Sequence, residues 1–279
     1  MTIRVWVDGE RVDDKPALSA LDHGVTVGDG VFETCKVQDR RVFARTMHHD
    51  RLDRSLAGLG LPPADREYLD EGIEAVLVET TGLVRLRYTV TSGVGPLGSE
   101  RGDLGMTHIV MASEIEHPAP TTKVVTVPWP RNERGAIVGL KTTSYAENAV
   151  SLSAARRAGA TEALMPNTRD ELCEGTGSNV FVVVDGEVLT PPLSSGALAG
   201  VTRHLVLDWG SAAGLPVREA TLPMSVLETC DELFITSSTR DVQPVSAVDG
   251  RDLSAPGPLT RAVAEAFATA AADHEDPAP

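Results

Sequence analysis

The sequence predicts a mixed α+β chain of two domains, and three observations carry that prediction. Its 279 residues exceed what one hydrophobic core usually serves, so two domains sharing a cleft are expected in preference to one large domain. Apolar patterns of strand and helix period alternate along the chain with no internal repeat. A stretch with linker composition, Glu114-Ile115-Glu116-His117-Pro118-Ala119-Pro120-Thr121-Thr122, falls near the middle. The expected boundaries are 1–117 for a small N-terminal domain, 118–123 for the linker, 124–272 for a larger C-terminal domain and 273–279 for a disordered tail.

Taken in order, Ile3, Val5 and Val7 alternate into the turn Asp8-Gly9, and a second strand begins near Arg11. Glycine-rich backbone from Gly24 leads into a strand from Val31 to Val37; these glycines make a turn or let the backbone approach a ligand. Leu52, Leu56 and Leu59 predict a helix over 47–58, stopped by Gly60 and Pro62-Pro63. His48 and His49 are adjacent, cannot chelate a metal together, and are expected as solvated helix residues. A second helix is expected over 66–80, then strands over 83–91 and 107–112. Between those strands Gly93-Val94-Gly95-Pro96-Leu97-Gly98 has the letters of a dinucleotide-binding motif. Pro96 and the following glycines forbid the helix such a site needs, so it reads as a mobile loop.

In the second half, strands are expected over 124–127 and 162–165, and a hairpin joins 180–184 to 188–190 through Asp185-Gly186. Helices are expected from Ser144, as the start of an S-x-x-E capping box with Glu147, to Gly159, from Thr202 to Gly214, and over 259–272. Strands over 232–236 and 242–248 complete the set.

Composition excludes several functions. Low aromatic content, 4%, and a net charge of −15 argue against nucleic acid and anionic membranes, so any anionic ligand must be met by local arginines or helix ends. Cys35, Cys173 and Cys230 are scattered, and neither disulfides nor a metal site is expected. No apolar run reaches membrane-spanning length and the N-terminus alternates like a strand, which predicts a cytoplasmic protein.

Four stretches carry candidate chemistry. Lys141, one of four lysines, follows Leu140 and precedes Thr142, Thr143 and Ser144 on what reads as extended backbone; apolar walls would lower its pKa and free an amine for Schiff-base chemistry. Glu174 stands at the mouth of a buried strand, where a carboxylate needs a cation or several donors. G200-V201-T202-R203 opens a helix whose free N–H groups suit a phosphate. I235-T236-S237-S238-T239-R240 is a hydroxyl-rich turn after a strand.

K-T-x-S-Y-x-x-N from Lys141, E-G-x-x-S-N-x-F from Glu174 and G-x-T-R from Gly200, with V-G-D-G-V-F-E-T at 27–34 and H-x-x-R-L at 48–52, resemble the class IV pyridoxal-phosphate enzymes. That family contains branched-chain and D-amino-acid aminotransferases and aminodeoxychorismate lyases. The resemblance spans nearly the whole chain and implies a small N-terminal α/β sandwich, a larger β-barrel-like domain with flanking helices, and a homodimer in which the loop Gly93 to Gly105 closes the partner's site. It implies pyridoxal 5'-phosphate held covalently by Lys141, which also shuttles the proton at the substrate's Cα. Glu174 would face the pyridine nitrogen, and Tyr145 would lie beside Lys141. The phosphate would be held by Arg51, by Val201 and Thr202, and by Ser238. Arg87, Arg131 and Arg134 are candidates for a substrate carboxylate.

The overall pattern resembles aminodeoxychorismate lyase-like proteins most, which implies release of p-aminobenzoate and pyruvate in folate synthesis. A branched-chain or D-amino-acid aminotransferase is the alternative, since a tyrosine near the lysine is common there. A catalytically silent binding protein on this scaffold would need neither Lys141 nor Glu174.

Overall fold

The computed structural model describes residues 2–278. They pack as two compact units: the chain up to His117 with Leu140–Tyr145 and the residues from Glu275 on, and Pro118–Gly139 with Ala146–His274.

The first unit contains β1 (Ile3–Val7), β2 (Glu10–Arg11), α1 (His23–Thr26), β3 (Gly30–Gln38), β4 (Arg41–Val42), α2 (Arg45–Gly58), α3 (Arg66–Leu77), β5 (Leu83–Thr91) and β6 (Thr107–Glu114). Its six-stranded sheet runs β2-β1-β6-β5-β3-β4 with every neighbouring pair antiparallel. Strand alternation puts Val31, Cys35 and Val37 of β3 and Val84, Leu86, Tyr88 and Val90 of β5 on one face. Leu52 and Leu56 of α2 and Leu69 and Ile73 of α3 close that face into a core.

Two expectations fail here for physical reasons. His48 and His49 are buried rather than solvated, because α2 hides a wide arc that also takes Arg51, Leu52, Ser55 and Leu56. The loop from Gly93 to Gly105, expected to be mobile, is pinned at several points. His23 Nε2 lies 2.8 Å from the Pro96 carbonyl. Arg101 makes paired bonds of 2.6 and 2.8 Å to Asp29 and donates to the Leu59 and Gly60 carbonyls.

The tail is docked in part, contrary to its expected disorder. Ala44, at the N-cap of α2, has no side chain to cap the helix. Asp276 supplies the missing carboxylate, accepting from Thr46 N at 2.9 Å and Thr46 Oγ1 at 2.6 Å, where the helix dipole favours negative charge.

The stretch around Lys141, expected in the larger domain, belongs to the first unit. β4 pairs with β3 only at Val37 and Gln38, which leaves the edge of β3 bare near Gly30. Residues 141–143 cover it: Phe32 N donates to Lys141 O at 2.9 Å and Thr143 N to Gly30 O at 2.8 Å. Thr142 there makes an isolated antiparallel bridge with Val31. Gly28, at φ +70°, lets the chain pass so close to Ser144 that a Cβ would meet Ser144 Oγ at 2.8 Å. The Ser144 hydroxyl therefore donates to Gly28 O instead of capping a helix, which begins two residues later.

The second unit contains β7 (Thr122–Thr126), α4 (Ala146–Arg157), β8 (Glu162–Pro166), β9 (Leu172–Gly175), β10 (Asn179–Val184), β11 (Glu187–Thr190), α5 (Val201–Ala212), β12 (Val217–Glu219), α6 (Val226–Thr229), β13 (Glu232–Ser237), β14 (Asp241–Val248), β15 (Arg251–Asp252) and α7 (Pro258–Asp273). Its sheet runs β12-β11-β10-β13-β14-β7-β8-β9, with β15 on β14, and mixes parallel with antiparallel pairs. Leu172 of β9, near one end of that order, and Leu189 of β11, near the other, enter one core with Val124, Val180, Ile235 and Val245. A sheet does that only by curling on itself. The fold is thus the mixed, two-sheet one expected. β9 is an element the sequence pattern does not flag: it is four residues long, does not alternate, and contains Glu174.

Candidate functional site

In the first unit, alternation along β3 sends neighbouring side chains to opposite faces. Phe32 turns away from α2 and becomes the centre of a small assembly. Lys141 Nζ lies 4.4 Å from its ring centroid, the Arg87 guanidinium carbon 3.8 Å, and the Tyr145 ring meets it edge-on at 5.3 Å. The Lys141 backbone is fixed from the other side, its N–H donating to Ser55 Oγ on α2 at 3.1 Å. Arg87 is half-buried, and burial lowers its pKa. Among the described residues no carboxylate pairs with it.

Glu33, the next residue on β3, points into the core towards α2. Its carboxylate is fully buried and takes Arg51 Nε at 2.8 Å, Arg51 Nη2 at 2.6 Å and His48 Nδ1 at 2.7 Å. Burial alone would push Glu33 up, but the Arg51 guanidinium outweighs it and holds the carboxyl well below the usual range. For His48 burial wins over the Glu33 hydrogen bond, and its pKa falls. Arg51, expected to face a cofactor phosphate, thus has a bidentate protein partner on one side of its guanidinium.

In the second unit, Glu174 has the partners its burial demands. Its Oε2 accepts from Leu198 N at 2.9 Å and its Oε1 lies 3.2 Å from Arg131 Nη2. Arg131 is placed by its own N–H, which donates to the Pro166 carbonyl at 2.7 Å. Expected as a substrate arginine, it is the counter-ion of Glu174. Arg134 projects outward with its side chain 80% exposed, 3.8 Å from Glu133. Glu133 itself is lowered to about 2, by its own backbone N–H and by the Thr168 hydroxyl.

Val201 and Thr202 begin α5, and the Gly200 N-cap contributes no side-chain hydrogen bond. Gly200 is needed there: a Cβ would sit 1.9 Å from Asn179 Oδ1. Asn179, which also donates to Leu198 O at 2.9 Å, pairs across the sheet with Thr236, whose Oγ1 is buried without a hydrogen-bond partner. Ser238 lies in the turn just beyond. An uncapped helix start beside an orphaned buried hydroxyl fits a phosphate group.

A family model for the class IV amino-transferases matches residues 30–248. The chain belongs to that family. It is 32% identical over 277 residues, covering 95% of each chain, to a Methanocaldococcus jannaschii protein provisionally named a branched-chain-amino-acid aminotransferase. A D-alanine aminotransferase of Staphylococcus haemolyticus is 26% identical over 278 residues, 95% of this chain and 96% of the other. A hypothetical aminotransferase from Mycobacterium tuberculosis, solved in a PLP-bound form, superposes with a TM-score of 0.85 at 28% identity over 96% of this chain and 98% of that one. A Legionella pneumophila protein provisionally named a 4-amino-4-deoxychorismate lyase has the same fold, at a TM-score of 0.85 and 21% identity, over 92% of this chain and 96% of that one.

Class IV aminotransferases use pyridoxal phosphate, and the donors at the start of α5 suit its phosphate. No helix among the described residues is long and apolar enough to cross a membrane, and no group of His, Cys, Asp and Glu there could hold a metal ion. The sequence motifs contain Phe32, Glu33 and Asn148 without singling them out. The period-2 split of β3 is the signal that separates the first two.

Proposed function

We propose that the protein is an amino-acid aminotransferase, moving an amino group from an amino acid to a 2-oxo acid. One observation carries this reading: the relatives matched over 95% of this chain are named as branched-chain-amino-acid and D-alanine aminotransferases. The lyase reading has less behind it, since the L. pneumophila likeness, at 21% identity, concerns the fold alone.

Bound pyridoxal phosphate supplies an electron sink for charge developing at the substrate's Cα. Lys141 would hold it covalently, and its amine would move the proton at the substrate's Cα. Its strand-like backbone, hydrogen-bonded on both sides, keeps the amine from wandering. Glu174 keeps the pyridine nitrogen protonated. Arg131 and the Leu198 N–H both meet the Glu174 carboxylate, partners that suit the role. The first amides of α5, Ser238 and Arg51 hold the phosphate. Of the three arginines considered for the substrate carboxylate, Arg87 is the one supported. Arg131 is paired with Glu174 and Arg134 is exposed, whereas Arg87 is a half-buried cation beside the ring that Lys141 touches. Tyr145, held against the same ring, orders the lysine's surroundings.

The test is a panel of L- and D-amino acids, branched-chain and alanine included, added to the cofactor-loaded enzyme without acceptor. With an aminotransferase the donor amino acid would leave as its 2-oxo acid, its amino group retained on the cofactor, whose absorption would change; the responsive donor names the substrate class. Loss of reactivity in Lys141→Ala, on the order of a thousandfold or more, is expected with the fold retained. If no amino acid discharges the cofactor while aminodeoxychorismate yields pyruvate, the lyase reading replaces this one.

A further inference from the structure

We infer that Glu162 is a positioning residue of the cofactor site, a buried carboxylate that ties the two loops on which Glu174 and Ser238 depend. This rests on the reading above, in which those two residues touch the cofactor.

Glu162 opens β8 and is completely buried. Its Oε1 accepts from the Thr176 hydroxyl and its Oε2 from the Ser178 hydroxyl at 3.1 Å. Arg240 Nη1 approaches the same Oε2 to 2.9 Å. Thr176 and Ser178 belong to the turn between β9 and β10, directly after Glu174. Arg240 belongs to the turn between β13 and β14, directly after Ser238, and its own N–H closes that turn on Ser237 O at 3.1 Å. One carboxylate therefore holds both turns.

The first turn is held from two further directions. Thr176 N donates to Ala163 O at 3.0 Å, and buried Asn148 on α4 donates to Thr176 O at 2.8 Å. A turn held at both ends, through Thr176 and Ser178, restricts the Glu174 that precedes it. Stability does not demand this arrangement: a well-packed apolar side chain replaces a buried ion pair at little or no cost. What such a cluster adds is one defined geometry, and this one lies where geometry governs the electrostatics of the pyridine nitrogen and the phosphate.

The experiment measures the dissociation constant for pyridoxal phosphate on apoprotein and, on the reloaded enzyme, the pH dependence of the bound cofactor's absorption, kcat and KM. Glu162→Gln keeps the shape and removes the charge facing Arg240. It should weaken cofactor binding about tenfold, shift the absorption titration and lower kcat more than it raises KM. Arg240→Gln, at a side chain 26% exposed, should act in the same direction if Glu162→Gln does not fold. Arg240→Lys should recover part of the loss. Ile73→Val, in the core of the first unit, is the control for loss of stability alone. Wild-type affinity and absorption in both Gln variants would overturn the inference, as would an equal loss of affinity in Ile73→Val. Failure of the wild-type apoprotein to take up pyridoxal phosphate would overturn the reading of the site, and this inference with it.

Discussion

Glu33 and Glu162 are both wholly buried carboxylates that meet an arginine and at least one further donor, yet their partners come from different kinds of structure. Those of Glu33, Arg51 and His48, lie one turn apart on a single helix, so the cluster fastens α2 to β3. Those of Glu162 lie on two separate turns, so that cluster fixes loops against each other. The same chemistry thus serves the fold in one unit and the shape of the site in the other. The first should be read out chiefly as stability, the second chiefly as cofactor binding.

The largest effect expected from this contrast is at Glu33. Glu33→Gln leaves the Arg51 guanidinium buried without its counter-charge and should cost about 3 to 5 kcal/mol in denaturant unfolding. Replacing Glu33 and Arg51 together by leucine and methionine should restore most of that stability while removing a proposed phosphate contact. A Glu33→Gln protein as stable as the wild type would erase the distinction between the two clusters.

A smaller effect belongs to pH. His48 has a lowered pKa in the folded state, so the unfolded chain binds its proton more readily. Its contribution to stability is therefore complete above the unfolded pKa of about 6.5 and is lost as pH falls below it. Melting temperature should decline from pH 7 to 5, with a shallower slope in His48→Asn; His49, also lowered by burial, retains part of the slope. An unchanged slope would mean that His48 does not report on the α2 cluster.

The smallest effect is at Glu133 in the second unit. Its carboxyl is lowered to about 2, so whatever it contributes persists above the unfolded value of about 4.3 and disappears as pH falls towards 2. Glu133→Gln should lower the melting temperature slightly at pH 7, where the contribution is complete, and leave it unchanged near pH 2. An unchanged melting temperature at pH 7 would mean that the contacts of this carboxylate with Thr168 and Arg169 add nothing net.

Much of the architecture was legible in the sequence because its signals are local. The alternation in Leu83–Thr91 and the leucine spacing of α2 predict those elements to within two residues. The family motifs contain Lys141 and Glu174, the two residues proposed to meet the cofactor's reactive ring. What the sequence did not disclose depends on distant partners. That Arg131 belongs to Glu174, that Asp276 caps α2 and that His48 faces Glu33 are facts of packing between segments far apart in the chain. The capping-box letters at Ser144 and Glu147 misled for the same reason: Gly28, remote in sequence, claims the serine first.

The lysine's seat on the edge of β3 has a consequence for the order of events during synthesis. Lys141 leaves the ribosome about a hundred residues after Phe32, and the chain in between has already departed at His117 to supply Pro118–Gly139 to the other unit. Contacts of such long sequence separation carry a larger loop-closure entropy than the pairing of β5 with β6. A nascent chain ending at the linker would hold the Phe32 ring and Arg87 but not Lys141. The seat of Lys141 is therefore completed only when the returning strand reaches the edge of β3, and a cut anywhere in 118–139 would leave the two on separate fragments.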